Sequence, residues 1–107
     1  MPEMHFKIEW PNGVIEDCYS PSYVIEDHLT VGATYAVEDF VARARTALTI
    51  ASERVLAKYG YECSSALDQL RALEERAANL PAAALRDPVK VLAFDKHAPR
   101  NARKSGT

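Results

Sequence analysis

The chain has 107 residues, 48% of them hydrophobic and 26% charged, with a formal net charge of −2. That is the length of one domain at ordinary globular composition, which excludes disordered, fibrous and multidomain readings. Two cysteines rule out a disulfide-stapled miniprotein and a four-cysteine zinc ribbon, and no run approaches the roughly 18 apolar residues of a membrane span.

Met1-Pro2-Glu3-Met4-His5 has no basic stretch leading into an apolar run. No secretory signal is therefore expected. Charge is unevenly placed. Lys96, Arg100, Arg103 and Lys104 make residues 96–107 basic and leave the rest net acidic. An acidic body is a poor match for a phosphate backbone, and four charges make a weak nucleic-acid arm. Residues 1–95 are read as a single domain and 96–107 as a basic, disordered tail.

From Met4 to Trp10 the chain alternates: Met4, Phe6, Ile8 and Trp10 on one side, His5, Lys7 and Glu9 on the other. A period of two is a half-buried strand. Pro11-Asn12-Gly13 then reads as a three-residue hairpin loop with glycine in the left-handed position; a two-residue Asn-Gly turn is the alternative, shifted by one. The three-residue register sets Trp10 opposite Val14, Phe6 opposite Cys18 and Lys7 opposite Asp17. It is preferred because it pairs apolar groups inside and opposite charges outside. The second strand runs from about Val14 to Tyr19.

Ser20-Pro21-Ser22 reads as a helix start, with Ser20 able to cap and Pro21 at the position that needs no N–H. One or two turns follow over Tyr23 to Leu29, with a strand as the alternative. Thr30 to Tyr35 is expected to be loop. The dominant element is a helix of about 24 residues from Ala36 to Tyr59, roughly 36 Å long. Its stripe is Val37, Val41, Ala44, Leu48, Ala51 and Val55, spaced by fours and threes. Gly60 closes it. Ser64 or Ser65 opens a second helix, with Ala66, Leu67, Leu70, Leu73, Ala77 and Leu80 as its stripe, packed antiparallel because the linker is short. Pro81 to Asp87 offers one weak turn. Beyond it lies a short strand, or an extended segment laid over the core, facing inward through Val89, Val91 and Ala93 or through Leu92 and Phe94. The fold class is α+β: an N-terminal hairpin on a long helix and a second antiparallel helix.

A lone two-stranded hairpin is marginal, and the long helix exceeds what a compact domain of this size needs. A homodimer is therefore expected, with the Val37–Val55 stripe as its candidate interface, unless that stripe simply receives the hairpin and second helix. For chemistry the residues are sparse. Cys18 and Cys63 are too far apart for a redox or metal pair. Cys18 reads as buried, and Cys63 lies at a helix start that can activate a thiol. His5, His28 and His97 are scattered. No metal site and no cofactor are expected, and no phosphate-loop, zinc-protease or nucleophile-elbow motif occurs. Arg43 and Arg54 lie on a similar face of the long helix, placed either to bind an anion or to pair with Glu16, Asp17 or Asp39. The segment Cys18, Tyr19, Ser20, Ser22 and Tyr23 gathers a thiol, hydroxyls and phenols at one turn. It is the first place to look for a ligand, against the alternative of a capped turn covering the hairpin edge.

Four stretches resemble a known family: Trp10-Pro11-Asn12-Gly13, Asp17-Cys18-Tyr19-Ser20-Pro21-Ser22, Arg45-Thr46-Ala47-Leu48-Thr49-Ile50-Ala51-Ser52-Glu53-Arg54-Val55 and Lys58-Tyr59-Gly60-Tyr61-Glu62-Cys63-Ser64-Ser65-Ala66-Leu67. They look like the mycobacterial-type nitrogen-starvation response family, encoded in nitrilase-containing clusters for nitrile and cyanide assimilation. The likeness spans about residues 1–80. It implies a cytoplasmic accessory protein of nitrogen scavenging, with enzymes of the same gene cluster as partners, and carries over no catalytic residue. Three functions are thus open: a non-enzymatic accessory protein, a ligand-binding or enzymatic subunit using the Cys18–Tyr23 turn with Arg43 or Arg54 across a dimer interface, and a nucleic-acid regulator using the tail.

Overall fold

A computed structural model of the chain describes residues 3–61 and 64–96. Strand β1, Met4–Glu9, buries Met4, Phe6 and Ile8 and turns Lys7 to solvent. It pairs antiparallel with β2, Ile15–Ser20, in the three-residue register: Phe6 opposite Cys18, Lys7 opposite Asp17. The loop shows why. Gly13 sits at φ +87°, which only glycine adopts without strain, and its N–H donates to the Trp10 carbonyl at 2.8 Å. The Trp10 N–H then donates to Val14 O at 2.8 Å, and the Val14 N–H to Asn12 Oδ1 at 3.2 Å.

The turn after β2 leads into a single helical turn, α1, Ile25–His28, which sets Ile25 in the core. Thr34 and Tyr35, expected in a loop, belong instead to a short strand, β3, Thr34–Ala36. The long helix α2, Val37–Tyr59, follows without a break and ends at Gly60, φ +81°, whose N–H donates to Leu56 O. α3, Ser64–Ala78, lies antiparallel to it, tied across by Arg45–Glu74 at 2.9 Å. A 3₁₀ turn at Ala82–Arg86 takes the place of the weak turn.

The C-terminal segment is a full strand, β4, Pro88–Asp95, and it occupies the middle of the sheet, whose order is β2-β1-β4-β3. Every pairing is antiparallel. Against β1 the register steps at one point: Ile8 faces Val91, but Lys7 faces Ala93. Leu92 is the extra residue of a β-bulge. The bulge resolves the two readings of this segment, because Val89 and Val91 face the core before it and Phe94, opposite Phe6, packs on the core after it. Ala93 is exposed.

The result is two layers, 22 Å across the thinnest dimension. The helices cover one face of a four-stranded sheet, and one core joins them. Trp10 stacks edge-on against Phe40 within it, ring centres 5.7 Å apart. Fully burying side chains such as Phe6, Phe40, Leu48 or Leu73 stabilises by about 1.5–3 kcal/mol each.

The hairpin is not an isolated pair, since β4 and β3 extend it. The stripe residues Val37, Val41, Ala44, Leu48, Ala51 and Val55 are all buried inside the protomer, none more than 8% exposed. They receive the chain's own sheet and α3, so the stripe offers no open surface to a second copy.

Candidate functional site

The turn that gathers Cys18, Tyr19, Ser20, Ser22 and Tyr23 is a closed piece of backbone. Ser20, the last residue of β2, is fully buried; its hydroxyl donates to Ser22 O at 2.7 Å and accepts from Ser22 N–H at 3.2 Å. It does not cap α1, whose N-cap residue is Val24. The Ser22 hydroxyl oxygen accepts from Val24 N–H and from Arg54 Nη1 at 3.0 Å. The Glu26 and Asp27 N–H groups of the one-turn helix donate to the Tyr23 and Val24 carbonyls, and both residues bring acidic side chains to the first turn. This arrangement stiffens a corner.

Cys18 is fully buried opposite Phe6. Burial pushes its thiol well above the ordinary range, and the Glu16 and Asp17 carboxylates add to the effect. Tyr19 meets the His5 ring edge-on at 5.7 Å, and its N–H donates to Gln69 Oε1 at 2.9 Å, joining the β2 edge to α3. The Tyr23 hydroxyl reaches the Lys96 carbonyl at 3.5 Å, and the Lys96 ammonium lies over the Tyr23 ring while pairing with Glu26 at 2.8 Å.

The two arginines separate. Arg54 reaches the turn through Ser22. Arg43 lies farther up α2, bonded to Asp39 at 3.0 Å and to the His28 carbonyl at 3.0 Å, with its guanidinium over the Tyr35 ring. Each ties the 22–35 segment to α2, and no common anion position is formed between them. Of the basic tail, residues 96–107, only Lys96 is described, paired with Glu26; Cys63, His97 and residues 98–107 lie outside the described residues. Among the described residues no group of three His, Cys, Asp or Glu side chains is placed to hold a metal ion, and no helix is long and apolar enough to cross a membrane.

A second constellation sits at the hairpin's loop end. The register that puts Ile8 opposite Glu16 also puts Glu16 on the inner face, where its side chain is 14% exposed. A carboxylate so placed needs partners, and it has two on one oxygen. Trp10 Nε1–H donates to Oε1 at 2.8 Å and Arg76 Nε–H at 2.9 Å. Glu16, through that bond and then its charge, raises the Arg76 pKa. The cluster was not among the sequence-predicted site residues. Its signal was there: extending the hairpin alternation by one step assigns an ionised side chain to the core face.

Two clefts flank Trp10. One, of about 320 Å³, includes Glu9, Thr34, Asp87 and Lys90. The other, of about 190 Å³, lies between the hairpin loop and the end of α3 and includes Asn12, Val14, Arg76 and Asn79. Separately, Leu56, Tyr59 and Tyr61 form an exposed apolar ledge where α2 ends, Tyr61 being 64% exposed and the two phenol rings 6.0 Å apart.

No curated protein and no solved structure matches the chain. A family model described as nitrogen starvation-induced protein NitG matches residues 5–94. That span extends past the 80 residues over which the resemblance was read, taking in the alanine-rich turn and β4. Since it takes in nearly all of the sheet and the helices packed on it, the chain belongs to the NitG family of nitrogen starvation-induced proteins.

Proposed function

We propose that the chain is a non-enzymatic accessory protein of a nitrogen-scavenging pathway, nitrile or cyanide assimilation, and that it works by contact with an enzyme of that pathway in the cytoplasm. The observation that carries this reading is the Leu56–Tyr59–Tyr61 ledge. Aromatic side chains at the surface give large contact area at low entropic cost and are enriched in protein interfaces. The turn first singled out as a ligand site supports the same reading, because its hydroxyls and its thiol are engaged in holding the fold.

The competing occupant of the ledge is a second copy of the chain. Native mass spectrometry of the protein purified gently from nitrogen-starved cells separates the two by mass. The expected species carries one enzyme of the nitrilase gene cluster, and Leu56→Ser with Tyr59→Ser and Tyr61→Ser releases it without lowering the melting temperature. A bare chain from starved cells, or a complex indifferent to the triple substitution, refutes the proposal; a pure homodimer transfers the ledge to self-association.

A further inference from the structure

We propose that the cleft between the hairpin loop and the end of α3 binds a small organic carboxylate, gripped by the Arg76 guanidinium. Glu16 orients the guanidinium from behind. Its inward carboxylate is nearly buried and anchors Arg76 through Nε alone. The same oxygen pins the Trp10 indole, which is itself held edge-on by Phe40. The guanidinium is therefore fixed at one end, and its two terminal nitrogens have no partner among the described residues. A guanidinium fork oriented by a carboxylate behind it is suited to a second carboxylate in front, taken through two parallel N–H···O bonds.

The other walls fit the same ligand. Asn79 has a side-chain amide with no bond to the described protein, and Asn12 keeps its N–H₂ after its oxygen is taken by the Val14 N–H. Both can donate to a bound oxygen. Trp10, Leu80 and Val14 make the apolar wall, and Val14 is 49% exposed although it belongs to the inner register of the hairpin. Among the described residues no carboxylate lines the cleft, Glu16 standing behind Arg76 and Trp10, and Arg76 is the one lining cation. A single positive group suits a monocarboxylate rather than a phosphate monoester. The volume of about 190 Å³ falls below the roughly 300 Å³ of a drug-sized pocket, which selects a short-chain or single-ring acid.

Trp10 is the only tryptophan of the chain and lines this cleft and its neighbour, so its fluorescence reports binding at either and the variants assign it. The experiment titrates the full chain at neutral pH and low salt with butyrate and cyclohexanecarboxylate, which do not absorb where the indole does, and with the corresponding amides. Saturable fluorescence changes with the acids are expected, with the amides at least tenfold weaker. Arg76→Gln is expected to weaken the acids about tenfold or more, the range of a charge-assisted pair. Because that change also removes a partner of Glu16, Asn79→Asp is the second variant: it places an anion in the cleft without touching Glu16 and should weaken the acids while the melting temperature holds. The proposal is overturned if no acid gives a saturable change, if amides bind as well as acids, or if both variants bind like the parent.

Discussion

Leu48→Ala distinguishes a helix stripe buried by its own chain from one that waits for a partner. Leu48 is 0% exposed within the protomer, midway along α2 and inside the single core. Removing its side chain loses the transfer free energy and leaves a cavity, together about 3 kcal/mol for a site of this kind. Total stability for such a domain is about 5–15 kcal/mol. With about 4–8 °C per kcal/mol at this size, the melting temperature should fall by about 12–24 °C. Thermal unfolding followed by circular dichroism, at protein concentrations spanning two decades, is the assay, with light scattering after size exclusion alongside. The shift should be the same at every concentration, because the lost contacts are intramolecular. If Leu48→Ala instead melts like the parent and only lowers the molar mass in solution, the stripe is intermolecular and the reasoning fails.

Three further outcomes follow from the structure. Burial holds the Cys18 thiol protonated, so folding binds a proton that the unfolded thiol releases above about pH 9; stability should fall as pH rises beyond that point, by up to about 1.4 kcal/mol per pH unit, and Cys18→Ala should flatten the decline seen in denaturant titrations. Ser22→Ala leaves the Val24 N–H and Arg54 without their acceptor at a buried corner, and should cost about 1–2 kcal/mol in urea unfolding, with no effect on carboxylate binding at the Trp10 cleft. Deleting Leu92 removes the bulge while keeping Val91 opposite Ile8 and Phe94 opposite Phe6; the melting temperature should change by a few degrees, whereas an alanine inserted between Val89 and Lys90 should put Val89 out of phase and cost about 1.5–3 kcal/mol.

The elements that could be read from the sequence are those whose signal is local. β1, the loop glycine and the hairpin register follow from alternation over consecutive residues and one turn, and both long helices follow from their stripes and from Gly60. What escaped depends on distant partners. β3 is three residues abutting a helix, too short for a pattern, and exists because β4 lies beside it. Sequence alone leaves β4 two inward faces, because its bulge inserts one residue into a period of two and each face turns inward over part of the strand. Ser20 looked like a cap, since the residue after a strand and before a proline often is one. Here the strand continues through it, opposite Met4, and its hydroxyl serves the corner.

The candidate site shows the same division. Cys18 as a buried residue and Arg43 beside Asp39 were within reach of spacing arguments. Arg54 at the Cys18–Tyr23 turn was one of the two arginines the helix face offered, but its bond to Ser22 of the same chain, 32 residues away, was not fixed by spacing. Glu16 with Arg76 spans 60 residues and needs α3 laid along the β2 edge, a placement set by Tyr19 N–H to Gln69 as much as by the helix stripe.

The strand order carries a consequence for how the protein is made. β4 leaves the ribosome after β1, β2, β3 and both long helices, yet it lies between β1 and β3. Until it emerges, β3 has no neighbour, and β1 presents an open row of amides and carbonyls to the cell. Nascent chains stalled before Pro88 therefore hold a complete set of helices over half a sheet, a sticky intermediate that chaperones or a second nascent chain can engage. Synthesis rate across the alanine-rich turn then becomes a control on yield, and a cut that removes β4 destroys the fold from its centre.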